Sequence, residues 1–159
     1  MPQRVLFVCT GNSCRSILAE ALLNHIGAGR FQAFSAGSHP MGTVNPHALA
    51  LLREKGLPTA GLRSKSWDAF TQSSLDLVVT VCDDAAGEVC PLFPGSPPKV
   101  HWGMPDPARV TGTPAEVRLA FERTYALLES RLRALVALPE GLSTPALLES
   151  LKRIAGIAA

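Results

Sequence analysis

The stretch 5–16 constrains the fold of this chain more than any other part of the sequence. It begins with four consecutive apolar residues, 5–8, which is typical of a strand buried on both faces of a parallel sheet. Small polar residues follow, and the helical spacing of apolar residues begins at Ile17. A strand, a tight polar loop and a helix start present a row of backbone N–H groups to which an oxyanion binds readily. The stretch therefore predicts an α/β sheet with an anion-binding loop.

Two residues of this stretch indicate that the loop is reactive. Cys9 ends the strand, and Arg15 follows after five intervening residues. A guanidinium can hold two oxygens of a phosphate-like anion, and its charge favours the thiolate form of the cysteine, which is the nucleophile. We expect Ser16 to donate a hydrogen bond to the thiolate and to lower its pKa further. With Arg15, the predicted substrate-binding residues are Thr10, Gly11, Asn12, Ser13 and Cys14.

Length and composition limit the class of protein. A chain of 159 residues fits one domain with a proper core, and 47% hydrophobic and 18% charged residues are ordinary for a globular protein. The formal net charge of +2 is too small to predict nucleic-acid binding. The sequence has neither an apolar run of ~18 residues nor the pattern of a signal peptide, so we expect a cytoplasmic protein without a membrane segment. In a reducing compartment, four cysteines indicate catalysis or metal binding rather than structural disulfides.

Strands and helices are predicted to alternate along the chain. After the first strand, the apolar runs predict strands at 31–36, 76–82 and 99–102. After the first helix, capping signals predict a helix over 45–55 and a long helix that starts at the capping box 113–116. This order predicts a three-layer α/β sandwich with a four-stranded parallel sheet. We expect residues 1–138 to form this domain and residues 139–159 to add a C-terminal helix, packed on the domain or on a second subunit.

A second and a third thiol and one carboxylate are further candidates for the site. Cys82 ends a predicted strand as Cys9 does, and ligands of open α/β sheets bind outside the carboxyl ends of strands. Both thiols are therefore expected to open onto one crevice. Seven residues of a composition typical of mobile loops separate Cys82 from Cys90, so the loop allows the two to meet. Asp106 lies between two prolines, where it is either a catalytic group or an exposed loop residue.

The sequence around Cys9 resembles a known superfamily. A cysteine, five residues and then Arg15-Ser16 near the N-terminus are similar to the loop of low-molecular-weight protein tyrosine phosphatases and of the arsenate reductases that share their fold. The sequence of residues 9–16 is especially similar to that of the reductases, and the resemblance extends to about residue 138. It implies that Asp106, followed by Pro107, is the general acid that protonates the leaving oxygen. In the tyrosine phosphatases that the chain resembles, an aromatic residue follows the Asp-Pro pair, whereas Ala108 stands at that place here.

The resemblance to the reductases implies a relay of three thiols. Cys9 attacks arsenate, Cys82 then attacks Cys9 as arsenite leaves, and Cys90 moves the disulfide to the Cys82–Cys90 pair. Thioredoxin, or glutaredoxin with glutathione, then reduces the enzyme, and no cofactor is expected. The predicted function is therefore arsenate reduction for arsenic detoxification. The alternative is a phosphatase that hydrolyses phosphotyrosine or other aryl phosphates, which needs only Cys9, the loop, Arg15 and Asp106.

Two hypotheses from other classes remain open at this point. One is a zinc-binding module that uses Cys82, Cys90 and His101, although the sequence has no C-x-x-C pair. The other is an oxyanion-binding protein without catalysis, which would need neither Asp106 nor the second and third thiols. Metal analysis of the purified protein and an activity assay distinguish these hypotheses from the enzyme.

The resemblance also raises the question of a bound cation. Some arsenate reductases of this fold bind potassium near the anion loop, and the matching residues here are Asn12, Glu20 and Ser35, all with oxygen ligands. The fourth position should be an acid, but Lys65 stands there in this sequence. We therefore predict that the Lys65 ammonium supplies the positive charge and that no metal is required. A shifted alignment would instead place Ser66 or Asp68 near the site.

Overall fold

The computed structural model describes residues 2–82 and 93–158. Within this part of the chain, four parallel strands form one sheet in the order β2-β1-β3-β4. The strands are β1 (Gln3–Cys9), β2 (Phe31–Gly37), β3 (Leu77–Thr80) and β4 (Lys99–His101). The prediction of a four-stranded parallel α/β fold is confirmed.

Strand β1 is central and is covered on both faces. Residues 5–8 are at most 1% exposed, and consecutive side chains of a strand point to opposite faces of the sheet. The sheet is therefore the middle of three layers. In the parallel registers, Cys9 lies opposite Gly37 of β2, and Val8 lies opposite Thr80 of β3. The carboxyl ends of these strands thus meet at one edge of the sheet, and the predicted site residues follow them there.

The described part of the chain contains four α-helices. They are α1 (Arg15–Ile26), α2 (Pro46–Glu54), α3 (Pro114–Val136) and α4 (Thr144–Ala155), and none of them is long and apolar enough to cross a membrane. Two predicted caps are present, because the Asn45 side chain accepts the His47 N–H at 2.8 Å and the Thr113 hydroxyl accepts the Glu116 N–H at 3.2 Å. Short 3-10 helices lie at Trp67–Phe70 and Pro107–Arg109.

The C-terminal helix α4 packs on the domain, beside β4 and α3. Leu151 and Ile154 of its apolar face are buried, and the Trp102 indole N–H donates to the Leu151 carbonyl at 3.0 Å. Arg131 of α3 donates at 3.0–3.2 Å to the carbonyls of Gly103, Ala155 and Ile157. One arginine thereby satisfies carbonyls at the end of α4 and fixes the segment that leads from β4 towards Asp106. Of the two alternatives for this helix, the structure shows packing on the domain.

Candidate active site

Residues 10–14 connect β1 to α1 and form the predicted anion loop. Three loop carbonyls accept hydrogen bonds of 2.9 Å from the backbone of segment 39–45: Thr10 from His39, Gly11 from Met41, and Ser13 from Asn45. The N–H and C=O of a trans peptide unit point in opposite directions. The N–H groups that follow these carbonyls therefore point away from segment 39–45. N–H groups of a loop at a helix start are suited to binding an oxyanion.

Asn12 and Gly37 hold the loop in this shape. Asn12 has a φ of +43°, in the left-handed region that asparagine tolerates better than most residues. Its buried side chain donates to the Ser16 hydroxyl at 2.8 Å and accepts the backbone N–H of Lys65 at 2.9 Å. A Cβ at position 37 would lie 2.5 Å from the carbonyl oxygen of Thr10, so only glycine fits there. Gly37 was not predicted as a site residue.

A cavity of about 420 Å³ opens in front of the loop. It brings together seven predicted site residues, namely Cys9, Thr10, Gly11, Ser13, Cys14, Arg15 and Asp106. Its rim adds residues that were not predicted as part of the site, namely His39, Met41, Asn45, Ala108 and Arg109. Asn12 and Ser16 are fully buried behind the loop.

Arg15 is buried at this cavity and uses part of its guanidinium within the protein. Its Nη1 donates to the Met104 carbonyl at 3.0 Å, and its Nη2 lies 3.4 Å from Oδ2 of Asp106. Its Nε is buried and has no hydrogen-bond partner among the described residues. A buried donor without a partner costs about 1–3 kcal/mol. An oxygen atom of a bound anion would supply the missing acceptor.

Asp106 forms part of the cavity wall and caps the 3-10 helix that follows it. Its Oδ1 accepts the Ala108 N–H at 3.0 Å, while its Oδ2 lies 3.4 Å from Arg15 and 3.7 Å from Nε of Arg109. About a fifth of the side chain is exposed. This location within the site is one that a general acid requires, and the acid role itself stays a prediction.

Cys82 lies two residues beyond β3, and its sulfur reaches the anion loop. The Thr10 N–H donates to Sγ of Cys82 at 3.2 Å, and the Thr10 hydroxyl lies 3.4 Å from the same sulfur. Thr10 directly follows Cys9 in the chain, so the Cys82 sulfur lies next to the nucleophile's own segment. Cys9 lines the cavity whereas Cys82 is buried and is not among its lining residues, so the expectation that both thiols open onto one crevice stays a prediction. Cys90, the third thiol of the predicted relay, lies outside the described residues.

The pKa of Cys9 differs from the prediction. The hydrogen bond with Cys82 and burial raise the pKa of the Cys9 thiol, and they outweigh the charge of Arg15 and the N–H of Gly11, which lower it. The expectation of a lowered pKa is therefore wrong for this arrangement of two reduced thiols. Burial also raises the pKa of Cys14. A hydrogen bond from Ser16 to a Cys9 thiolate stays a prediction.

We expect Cys82→Ala to lower the pKa of Cys9, because it removes the largest cause that raises this pKa. The measurement is the pH dependence of alkylation by iodoacetamide, followed on the peptide that contains Cys9. The midpoint should move to lower pH in the variant. Cys14→Ala is the matched control, since this thiol is not among the groups that shift the Cys9 pKa. A midpoint unchanged in Cys82→Ala would contradict the assignment.

Lys65 lies next to Glu20 near the anion loop. Its Nζ is 3.7 Å from Oε1 of Glu20 and 3.4 Å from the hydroxyl of Ser35, which itself donates to the same carboxylate oxygen. Lys65 thus lies beside Glu20 and Ser35, as expected, rather than in solvent. Ser66 and Asp68 hydrogen-bond to each other instead, because the Ser66 hydroxyl accepts the Asp68 N–H at 3.1 Å.

The part of the chain that the structure describes contains only two of the three candidate zinc ligands, Cys82 and His101. Among the described residues, no three His, Cys, Asp or Glu side chains are grouped so that they could hold a metal ion. The zinc hypothesis includes Cys90, which lies outside those residues, so it stays a hypothesis.

The sequence and the fold of this chain are similar to those of the same group of known proteins. The family model described as low molecular weight phosphotyrosine protein phosphatase matches residues 4–151. The chain is 37% identical over 129 residues to an arsenate reductase of Bacillus subtilis, and this match covers 81% of this chain and 91% of that protein. The crystal structure of an arsenate reductase from Archaeoglobus fulgidus matches with a TM-score of 0.68 and 33% identity, over 84% of this chain and 99% of that one. A thioredoxin-dependent arsenate reductase of Corynebacterium glutamicum matches with a TM-score of 0.62 and 28% identity, over 84% of this chain and 60% of that one. The chain therefore belongs to the low molecular weight phosphotyrosine protein phosphatase family.

Proposed function

We propose that this protein reduces arsenate to arsenite through its cysteine thiols. The observation that carries the proposal is the position of Cys82, whose sulfur accepts the N–H of Thr10, the residue that follows Cys9 in the anion loop. Hydrolysis of a phosphate ester needs one nucleophile, whereas reduction of arsenate needs a second thiol within reach of the first. The relatives named arsenate reductases in Bacillus subtilis and Archaeoglobus fulgidus support the same activity.

Arsenate binding is assigned to the loop and to Arg15. The N-terminus of α1 has Cys14 at its cap position without a side-chain hydrogen bond among the described residues, so its N–H groups remain for a ligand. The free Nε of Arg15 and its neighbouring Nη2 form one edge of a guanidinium fork, which matches two oxygens of a tetrahedral anion. Thr10, Gly11, Asn12, Ser13 and Cys14 contribute the backbone that surrounds the anion.

The first step forms a bond between Sγ of Cys9 and arsenic. The thiolate attacks, one arsenate oxygen leaves, and Asp106 donates the proton with which it departs as water. In the second step, the Cys82 thiolate attacks Sγ of Cys9. The sulfur–arsenic bond breaks, and its electron pair stays on arsenic, which is thereby reduced from As(V) to As(III). Arsenite leaves, and the two sulfurs remain as a Cys9–Cys82 disulfide.

The oxidised enzyme then needs two electrons from outside. We propose that the Cys90 thiolate attacks Cys82, which frees Cys9, and that a dithiol reductant reduces the resulting Cys82–Cys90 disulfide. Thioredoxin is the proposed reductant, because the relative from Corynebacterium glutamicum depends on thioredoxin. Such chemistry fits a reducing cytoplasm, in which the thiols of Cys9, Cys14 and Cys82 stay reduced. Residues 1–138 are the proposed catalytic unit, and 139–159 the extension that braces it.

A coupled assay tests the proposal. Oxidation of NADPH is followed in the presence of arsenate, thioredoxin and thioredoxin reductase, and in parallel with glutaredoxin, glutathione and glutathione reductase. We expect turnover that depends on arsenate in the thioredoxin arm. Turnover in the glutathione arm alone would change the reductant but keep the reaction. If neither arm responds to arsenate while p-nitrophenyl phosphate is hydrolysed rapidly, the protein is a phosphatase.

A further inference from the structure

The Asp106 carboxylate lies between two guanidinium groups. Its Oδ2 is 3.4 Å from Nη2 of Arg15 and 3.7 Å from Nε of Arg109. The two arginines differ in environment, because the Arg15 side chain is 11% exposed and the Arg109 side chain 77%. Both line the cavity in front of the anion loop. Arg109 was not part of the predicted site.

Asp106 lies beside a nitrogen of Arg15 that a bound oxyanion also needs. Nη1 of Arg15 is engaged by the Met104 carbonyl, so Nε and Nη2 are the edge that remains for two oxygens of an anion. Nη2 is also the nitrogen that lies 3.4 Å from the Asp106 carboxylate. An oxyanion that binds Arg15 through Nε and Nη2 therefore lies close to the carboxylate and is repelled by it.

We propose that Arg109 is a positioning residue that takes over the Asp106 carboxylate when an oxyanion occupies Arg15. The inference rests on the proposed function, because it takes the oxyanion to bind at Arg15. The local geometry favours such a transfer. Asp106 remains anchored through Oδ1 to the Ala108 N–H, and Arg109 belongs to the same short helix, so the carboxylate needs only a small movement. The second cation offsets the loss of the contact with Arg15 and keeps the Asp106 side chain beside the bound substrate, where it takes up a proton before it acts as the acid of the first step.

A simpler role for Arg109 would be general attraction of anions by its positive charge. The two roles make different predictions. General attraction acts whether or not residue 106 carries a carboxylate, whereas the transfer requires one. The dependence of the Arg109 effect on Asp106 therefore separates them.

The test measures the dissociation constants of inorganic arsenate and inorganic phosphate by isothermal titration calorimetry at low ionic strength. All proteins carry Cys9→Ser so that arsenate binds without reacting, and wild type here refers to positions 106 and 109. The proteins are the wild type, Arg109→Ala, Asp106→Asn and the double variant. We expect Arg109→Ala to weaken binding about threefold in the wild-type background, a size usual for an exposed charge pair. Asp106→Asn should tighten binding, and Arg109→Ala should then have no further effect. Arg109→Lys should restore most of the lost affinity, because it keeps a positive charge.

A matched control removes the same charge nearby. Arg123 of α3 is exposed and lines a neighbouring cavity that shares Asp106, so Arg123→Ala should leave both dissociation constants unchanged. An equal loss of affinity from Arg109→Ala in both backgrounds would establish general attraction and overturn the inference. No loss in the wild-type background would overturn it as well. If the wild type binds neither anion, the proposed function itself fails, which is a different result from binding without coupling.

Discussion

Cys9→Ser is expected to abolish both arsenate reduction and hydrolysis of aryl phosphates, whereas Cys82→Ser should abolish the reduction alone. Both reactions begin with the Cys9 thiolate, and loss of a covalent nucleophile lowers turnover by about 10⁴-fold or more. Cys82 enters only when the sulfur–arsenic bond is cleaved. Hydrolysis of a phosphoenzyme uses water and has no need of this second thiol.

The two reactions are measured on the same protein preparations. Arsenate reduction is followed through NADPH with thioredoxin and its reductase, and hydrolysis through release of p-nitrophenol from p-nitrophenyl phosphate. Cys90→Ser should behave like Cys82→Ser, because the relay then stops at the Cys9–Cys82 disulfide. Arsenate turnover at the wild-type rate in Cys82→Ser or Cys90→Ser would show that the three-thiol relay does not operate here.

The parts of the fold that were predicted from the sequence are those with a local cause. Four apolar residues at 5–8 identify the central strand because such a run is buried on both faces. The caps at Asn45 and Thr113 act within three residues of the helix start, so their pattern is visible in the chain itself. The spacing of Cys9 and Arg15 is likewise local, and both residues line the predicted cavity.

The parts that were not predicted depend on contacts between distant segments. The pKa of Cys9 is raised and not lowered as predicted, because the side chain of Cys82, 73 residues away in the sequence, raises it. Gly37 is required by the close approach of β2 to the Thr10 carbonyl, which no pattern around it indicates. Arg131 is buried, although an arginine on a long helix normally indicates a solvated face. Its three carbonyl partners lie outside its own helix.

The partly buried pair of Lys65 and Glu20 sets the expected response to potassium. The ammonium lies among oxygen atoms suited to a cation, at 3.7 Å from Glu20, 3.4 Å from Ser35 and 3.0 Å from the Arg63 carbonyl. Burial raises the pKa of Glu20 and lowers that of Lys65, in each case against the charge of the partner. The pair therefore gains little net stability, but removal of one member leaves the other buried without compensation.

In the wild type, exchange of potassium for sodium or choline at constant ionic strength should change turnover by less than about twofold, because the ammonium repels a second cation. The coupled arsenate assay measures this response. A large, saturable activation by potassium would contradict the assignment of the ammonium to the cation position.

Lys65→Met should both destabilise the protein and create a response to potassium. The variant keeps a long side chain but leaves the Glu20 carboxylate with the Ser35 hydroxyl and without a cation, which we expect to lower the free energy of unfolding by about 1–3 kcal/mol in urea titrations. Potassium should restore part of this loss by binding at the carboxylate. Because the pKa of Glu20 is raised, the carboxyl is more often protonated at low pH, so the restoration should grow as the pH rises. Lys152→Met, on the exposed face of α4, removes the same charge and should show neither effect. A Lys65→Met protein with wild-type stability and no response to potassium would show that the ammonium does not take the place of a cation.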